Sequence, residues 1–155
     1  MNQRKLSRIL MLAGGLAVAG VAFMLYVLPV VLLIRGRSAL YSLTQMALGV
    51  PYMAALWQYF RICKIIGDDR SFTPENARRL DVIAKLLFLA TGLWAAMLIA
   101  ILLSSGGAVT GYALVSLVQI GLTLMATLAV GLVAKMMALL VGRASRLQEE
   151  NDLTI

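Results

Sequence analysis

The side chains able to do chemistry in this 155-residue chain sit in two short polar segments and along one helix face. There is no His and one Cys, Cys63, which excludes Cys/His zinc sites, His-based catalytic triads and disulfide frameworks. The first segment, Asp68-Asp69-Arg70-Ser71-Phe72-Thr73-Pro74-Glu75-Asn76, reads as a turn followed by a helix start. A Thr73 hydroxyl can cap that helix, and Pro74 suits the first helical position, where no amide donor is needed. Glu75 favours the positive end of the helix dipole, and Phe72 is placed to staple onto Ala77. Asp81 and Lys85 stand four apart in the order that pairs well on a helix. Capping and pairing account for Phe72, Thr73, Pro74 and Asn76 as structural residues, and nothing here calls for catalysis.

The second segment is the C-terminus, residues 142–155. Its helix is expected to run past Arg143 and Arg146. Glu149, Glu150 and Asp152 then place three acids where a helix terminus is already negative, which disfavours further helix. Leu153-Thr154-Ile155 has strand-like residues; in an extended strand Leu153 and Ile155 project to one face and Thr154 to the other. Residues Glu149, Glu150, Asn151, Asp152, Leu153, Thr154 and Ile155 thus form a candidate docking peptide for a partner's groove or sheet edge, its acids steering a basic partner. The competing reading is a tail that frays or folds back onto Arg70, Arg78 and Arg79.

The helix face carries Ser116, Gln119, Thr123 and Thr127, at steps of three, four and four residues. Two readings stay open: a polar seam packed against neighbouring helices, or a small polar cavity that receives a ligand or lines a pore. Thr44, Gln45, Gln58 and Thr91 complete the polar inventory of the apolar stretches, which hold no ionisable group in their central parts. Proton and ion relays need such groups.

The elements that must position these residues are apolar. The chain is 61% hydrophobic and 14% charged, outside the range of ordinary soluble domains. Four runs are long enough to cross a bilayer: about 9–34, 39–60, 86–104 and 112–134, the last continuing as helix through Met136–Val141. The first run, 26 residues without a charge, extends roughly 39 Å as a helix against a hydrocarbon core of about 30 Å. It is about twice the length of a secretory signal core and lacks a convincing cleavage site, so a retained span is expected. Pro29 and Pro51 should kink spans one and two. Gly15 with Ala19, and Gly14 with Val18 less well, permit close approach of another helix. The nine Met residues show no copper-binding pattern.

Twelve of the fourteen basic residues fall on one side if the N-terminus faces inward; Arg35 and Arg37 alone lie opposite. The positive-inside rule therefore predicts an all-α, four-transmembrane-helix bundle with both termini cytoplasmic. It is a single domain over residues 1–155, with an inner loop at 61–85 and a cytoplasmic tail at 142–155. The net charge of +7 is explained by anionic headgroups beside the span ends, without direct nucleic-acid binding. The lipid bilayer is the first partner, no cofactor is implied, and a homo-oligomer is compatible with these surfaces.

At its two polar segments the chain resembles the domain-of-unknown-function 2975 family of small four-span bacterial membrane proteins. The matching residues are Phe72-Thr73-Pro74-Glu75-Asn76, then Leu80 and Ile83, and the terminal Leu147-Gln148-Glu149-Glu150-Asn151-Asp152-Leu153-Thr154-Ile155. Ser71 stands where a family proline is expected, and Asp69 where glycine is common. The resemblance implies a bacterial inner-membrane location, no enzyme activity and no catalytic residues. It also implies association with a small cytoplasmic helix-turn-helix transcription regulator. The leading expectation is a membrane-embedded regulatory protein that binds such a regulator through its inner face and tail. The alternative is a small-solute or peptide transporter, a channel or an immunity-type membrane protein that uses the polar face of span four.

Overall fold

The computed structural model describes residues 3–34, 39–67, 73–104 and 111–152, all of them helical apart from Thr73. Helix α1 spans Gln3–Ala22 and gives way to a π-helical turn at Phe23–Val27, after which α2 runs over Leu28–Ile34. Then come α3 (Ala39–Gly67), α4 (Pro74–Ser104) and α5 (Gly111–Asp152). Residues 35–38 and 105–110, between the apolar runs, lie outside the described residues.

The two prolines within these helices act differently. Pro29 cannot donate to the carbonyl of Leu25, and its ring crowds that turn. The helix widens there into the π turn, which lets the chain continue without the missing bond. Pro51 is buried inside α3, which runs on through it as unbroken α-helix.

Helices pack in a row in the order α1, α3, α4, α5; among the described residues α5 lies against the backbone of α4 alone. The central α4 buries Ala84, Leu87, Ala90 and Trp94 at steps of three and four residues, a single stripe toward its neighbours. Leu48, Trp94 and Ile120 form the core where α3, α4 and α5 converge. Glycine allows the closest approaches. A Cβ on Gly14 of α1 would sit 2.5 Å from the Tyr59 ring, and one on Gly131 of α5 would meet Phe88 at 3.2 Å. Tyr59 uses its proximity to donate from its hydroxyl to the Leu10 carbonyl at 3.0 Å.

Among the described residues two helices are long and apolar enough to cross a membrane by length and composition, over Pro74–Leu103 and Ser116–Asn151, and Arg8–Ala22 is a shorter apolar helix. Only 17% and 28% of the residues in the two long apolar windows are buried, unlike the core helices of a soluble protein. The outward surface is instead apolar, with Leu89, Ile99, Leu103, Leu122 and Val133 all exposed.

Candidate functional site

Polar side chains gather at the end of the row where α3 finishes and α4 begins. Thr73 starts α4: its Oγ1 accepts from the Asn76 amide at 3.2 Å, and its carbonyl takes the Ala77 amide at 3.2 Å. The first bond satisfies the Asn76 amide, one of the orphan donors of that helix start, and the second is the first bond of the helix itself. Pro74 follows as the first helical residue. Asn76 is buried with 1% exposure, the tightest polar position in the chain's described part. Phe72 and residues 68–71 lie outside the described residues, so the expected staple does too.

One turn further, Arg79 joins two helices. Its guanidinium donates to Gln58 Oε1 of α3 at 3.1 Å and pairs with Glu75 on α4. Asp81 does the same toward α5. One carboxylate oxygen takes Lys85 at 2.8 Å, as the four-residue spacing suggests, and the other takes Lys135 of α5. Hydrogen bonds from Lys135, then Lys85, hold the Asp81 carboxyl below its ordinary range. At the same level Gly142 brings α5 close to Ala77 of α4, 3.7 Å from where its Cβ would be, and Ser145 is buried with its hydroxyl on the Gly142 carbonyl. Cys63 of α3 is buried, and that burial pushes its thiol pKa up, away from the reactive thiolate.

Beyond Ser145, α5 outruns the start of α4. Arg146, Leu147, Gln148, Glu149, Glu150 and Asn151 are all exposed on it. The three acids do not end the helix, which continues through Asp152. The end-dipole penalty is a few tenths to one kcal/mol per charge, whereas extending a formed helix needs no new nucleus. Gln and Glu are also good helix formers. Leu153, Thr154 and Ile155 lie outside the described residues, so their expected strand character does too.

The polar face of α5 separates into different roles. Thr127 is buried, donates to the Thr123 carbonyl at 2.7 Å and shares a 2.7 Å hydrogen bond with the Tyr52 hydroxyl of α3. Trp94 Nε1 donates to the same Tyr52 oxygen at 3.0 Å, so one hydroxyl ties α3, α4 and α5 together. Thr123 bonds back to the Gln119 carbonyl at 2.9 Å, and the Gln119 side chain is exposed. Sequence reasoning missed Tyr52 and Trp94, because both count as apolar in a hydrophobic run. It also missed Lys135 as a partner of Asp81, fifty-four residues away.

Among the described residues no three His, Cys, Asp or Glu side chains come together as metal ligands. Residues 35–155 match the family model described as "Protein of unknown function (DUF2975)". The chain belongs to this family. The match takes in α3, α4, α5 and the whole charged end, and leaves out α1 and α2. No curated protein and no solved structure matches the chain. The family therefore brings no assigned activity to these residues, and their geometry has to carry the functional argument.

Proposed function

We propose that this family member is a four-span protein of the bacterial inner membrane, both termini cytoplasmic, that binds a small helix-turn-helix regulator. The observation that carries the reading is the α4–α5 pair continuing past its apolar stretches as a charge-stitched, exposed platform. Asp81 with Lys85 and Lys135 fixes the pair laterally, buried Asn76 and Ser145 close it, and α5 continues past them to Asp152.

The membrane placement draws support from one face of α3. Leu43, Val50 and Trp57 follow at seven-residue steps, and all three are exposed. Arg61 and Lys64 continue the same exposed stripe, with the Arg61 guanidinium 5.6 Å from the Trp57 ring centroid. Aliphatic, aromatic, then cationic is the order of hydrocarbon, interface and headgroup. It supports an inner boundary near Trp57, as does the twelve-to-two asymmetry of basic residues. At about 1.5 Å per residue the 42 residues of α5 run about 63 Å, twice what a bilayer core needs. The surplus stands in the cytoplasm.

Acids on that surplus can compete with DNA phosphates for a regulator's cations, so docking would hold the regulator off its operator. The test has two arms. Reporter fusions after Gly36, Arg70, Gly107 and Ile155 should read out, in, out and in. Capture of cytoplasmic proteins by the detergent-extracted full chain, against one ending at Arg146, should yield a helix-turn-helix protein only with the full chain. An outward C-terminus, or equal capture by both chains, would overturn the proposal.

A further inference from the structure

On the polar face of α5 one group leaves its hydrogen-bonding capacity unused. Thr123 and Thr127 bond back to the helix, Thr127 also reaches Tyr52, and Ser116 has a partner. The Gln119 carboxamide is exposed and has no partner among the described residues. It stands seven residues into span four, at hydrocarbon depth, where an amide without a partner is strongly disfavoured. A second, separate pattern runs through the same position. Gln119, Leu122, Ala126, Ala129, Val133 and Met136 follow alternating steps of three and four, and all six are exposed. This is the 3.5-residue repeat of a helix seam, about 26 Å long. The seam is clear of the side taken by α4, where Ile120, Thr127, Gly131 and Ala138 are buried. As the last helix of the row, α5 meets the other helices, among the described residues, on the side turned to α4 and to Tyr52 of α3.

We propose that two copies of the chain pair in parallel through this face of α5, the Gln119 carboxamides bonded to each other across a two-fold axis along the membrane normal. The proposal rests on the reading of α5 as a membrane span. The occupant is argued from self-complementarity. Two copies inserted in the same orientation bring each Gln119 to equal depth, and a carboxamide is both donor and acceptor, so the pair satisfies itself. Ala126 and Ala129 let the backbones approach at mid-span, and one polar residue in an apolar repeat fixes register.

The test uses the full chain in liposomes of phosphatidylethanolamine and phosphatidylglycerol. In a Cys63→Ala background, which removes the only thiol, Ala126→Cys should cross-link on oxidation, and Leu132→Cys, exposed off the seam, should not. Adding Gln119→Leu should lower the Ala126→Cys cross-link about three-fold, the average worth of an interhelical hydrogen bond, and Gln119→Asn should restore most of it. The unmodified sequence, labelled at its N-terminus and diluted to low copy number, should photobleach in two steps. Equal cross-linking at positions 126 and 132, an unaltered yield with Gln119→Leu, or single-step bleaching would each overturn the pairing. Extraction by alkaline carbonate separates the two failures. A chain that resists extraction but bleaches singly sinks the pairing alone, whereas an extracted chain sinks the span reading with it.

Discussion

Replacing Tyr52 by Phe removes a single oxygen on which three helices converge. Trp94 Nε1 loses its acceptor at 3.0 Å, and Thr127 loses a 2.7 Å partner. The two losses are unequal. Thr127 keeps its bond to the Thr123 carbonyl, so only an interhelical bond disappears, worth about 0.6 kcal/mol on average in membrane helices. Trp94 is 5% exposed, and its indole N–H is left without a partner, at about 1–3 kcal/mol. Together Tyr52→Phe should destabilise by about 2 kcal/mol, and Thr127→Val by about 0.6 kcal/mol. The assay is reversible unfolding in mixed micelles titrated with a denaturing detergent. In a Trp57→Phe background Trp94 is the remaining indole, and loss of its hydrogen bond should shift its emission to the blue. Because both substitutions break the same contact, Tyr52→Phe with Thr127→Val should cost less than the sum of the two. A Tyr52→Phe chain within about 0.3 kcal/mol of its parent, or strict additivity, would refute the reasoning.

Gly14→Ala places a Cβ 2.5 Å from the Tyr59 ring and should break its bond to Leu10, costing about 1–3 kcal/mol in the same titration. Gly15→Ala, with nothing within 4 Å, is the neutral control. Thr73→Ala should cost about 1 kcal/mol by uncapping α4, with most of it recovered by Thr73→Ser; equal losses would exclude the cap. Asp81→Asn should cost about 0.5–1 kcal/mol at neutral pH, since the Lys partners are partly exposed. The Asp81 pKa is depressed, so its contribution is full above the ordinary carboxylate range and lost as pH falls through the lowered value. The gap between Asp81→Asn and its parent should therefore close in acid, and a gap that widened there would contradict the pairing.

Local signals were legible where one turn of chain contains both partners. Thr73, Pro74 and the Asp81–Lys85 pair follow from spacing alone. What spacing could not reveal was which helices lie side by side. Lys135 stands just past the fourth apolar run in sequence, and only with α5 laid against α4 does it meet Asp81. Tyr52 and Trp94, forty-two residues apart, read as apolar filling because hydropathy ignores a single hydroxyl or indole N–H. Both prolines were expected to kink their helices, yet only Pro29 adjoins a disturbed turn. A proline's effect depends on whether neighbours cover the freed carbonyl, which no local pattern records.

The helical course of α5 to Asp152 changes how its exposed end could be recognised. A strand presents alternate residues, which made Leu153 and Ile155 the natural anchors. A helix presents residues three and four apart, so on the described surface Leu147 shares a face with Glu150 and Asn151. Leu147 is 63% exposed, a large apolar side chain standing beside an acid on this helix. That arrangement suits insertion into a groove better than addition to a sheet edge. The two modes respond oppositely to Gln148→Pro. Proline there removes the amide that bonds the Ala144 carbonyl and breaks the last turns, at roughly 3 kcal/mol. An extended tail tolerates it, because the anchors at 153 and 155 keep their amides and their common face. Groove recognition predicts that Gln148→Pro abolishes partner capture as fully as ending the chain at Arg146, and that Leu147→Ala weakens it by at least ten-fold, about 1.4 kcal/mol. Capture undiminished by Gln148→Pro but lost with Leu153→Ser and Ile155→Ser would show instead that the partner reads the last three residues as a strand.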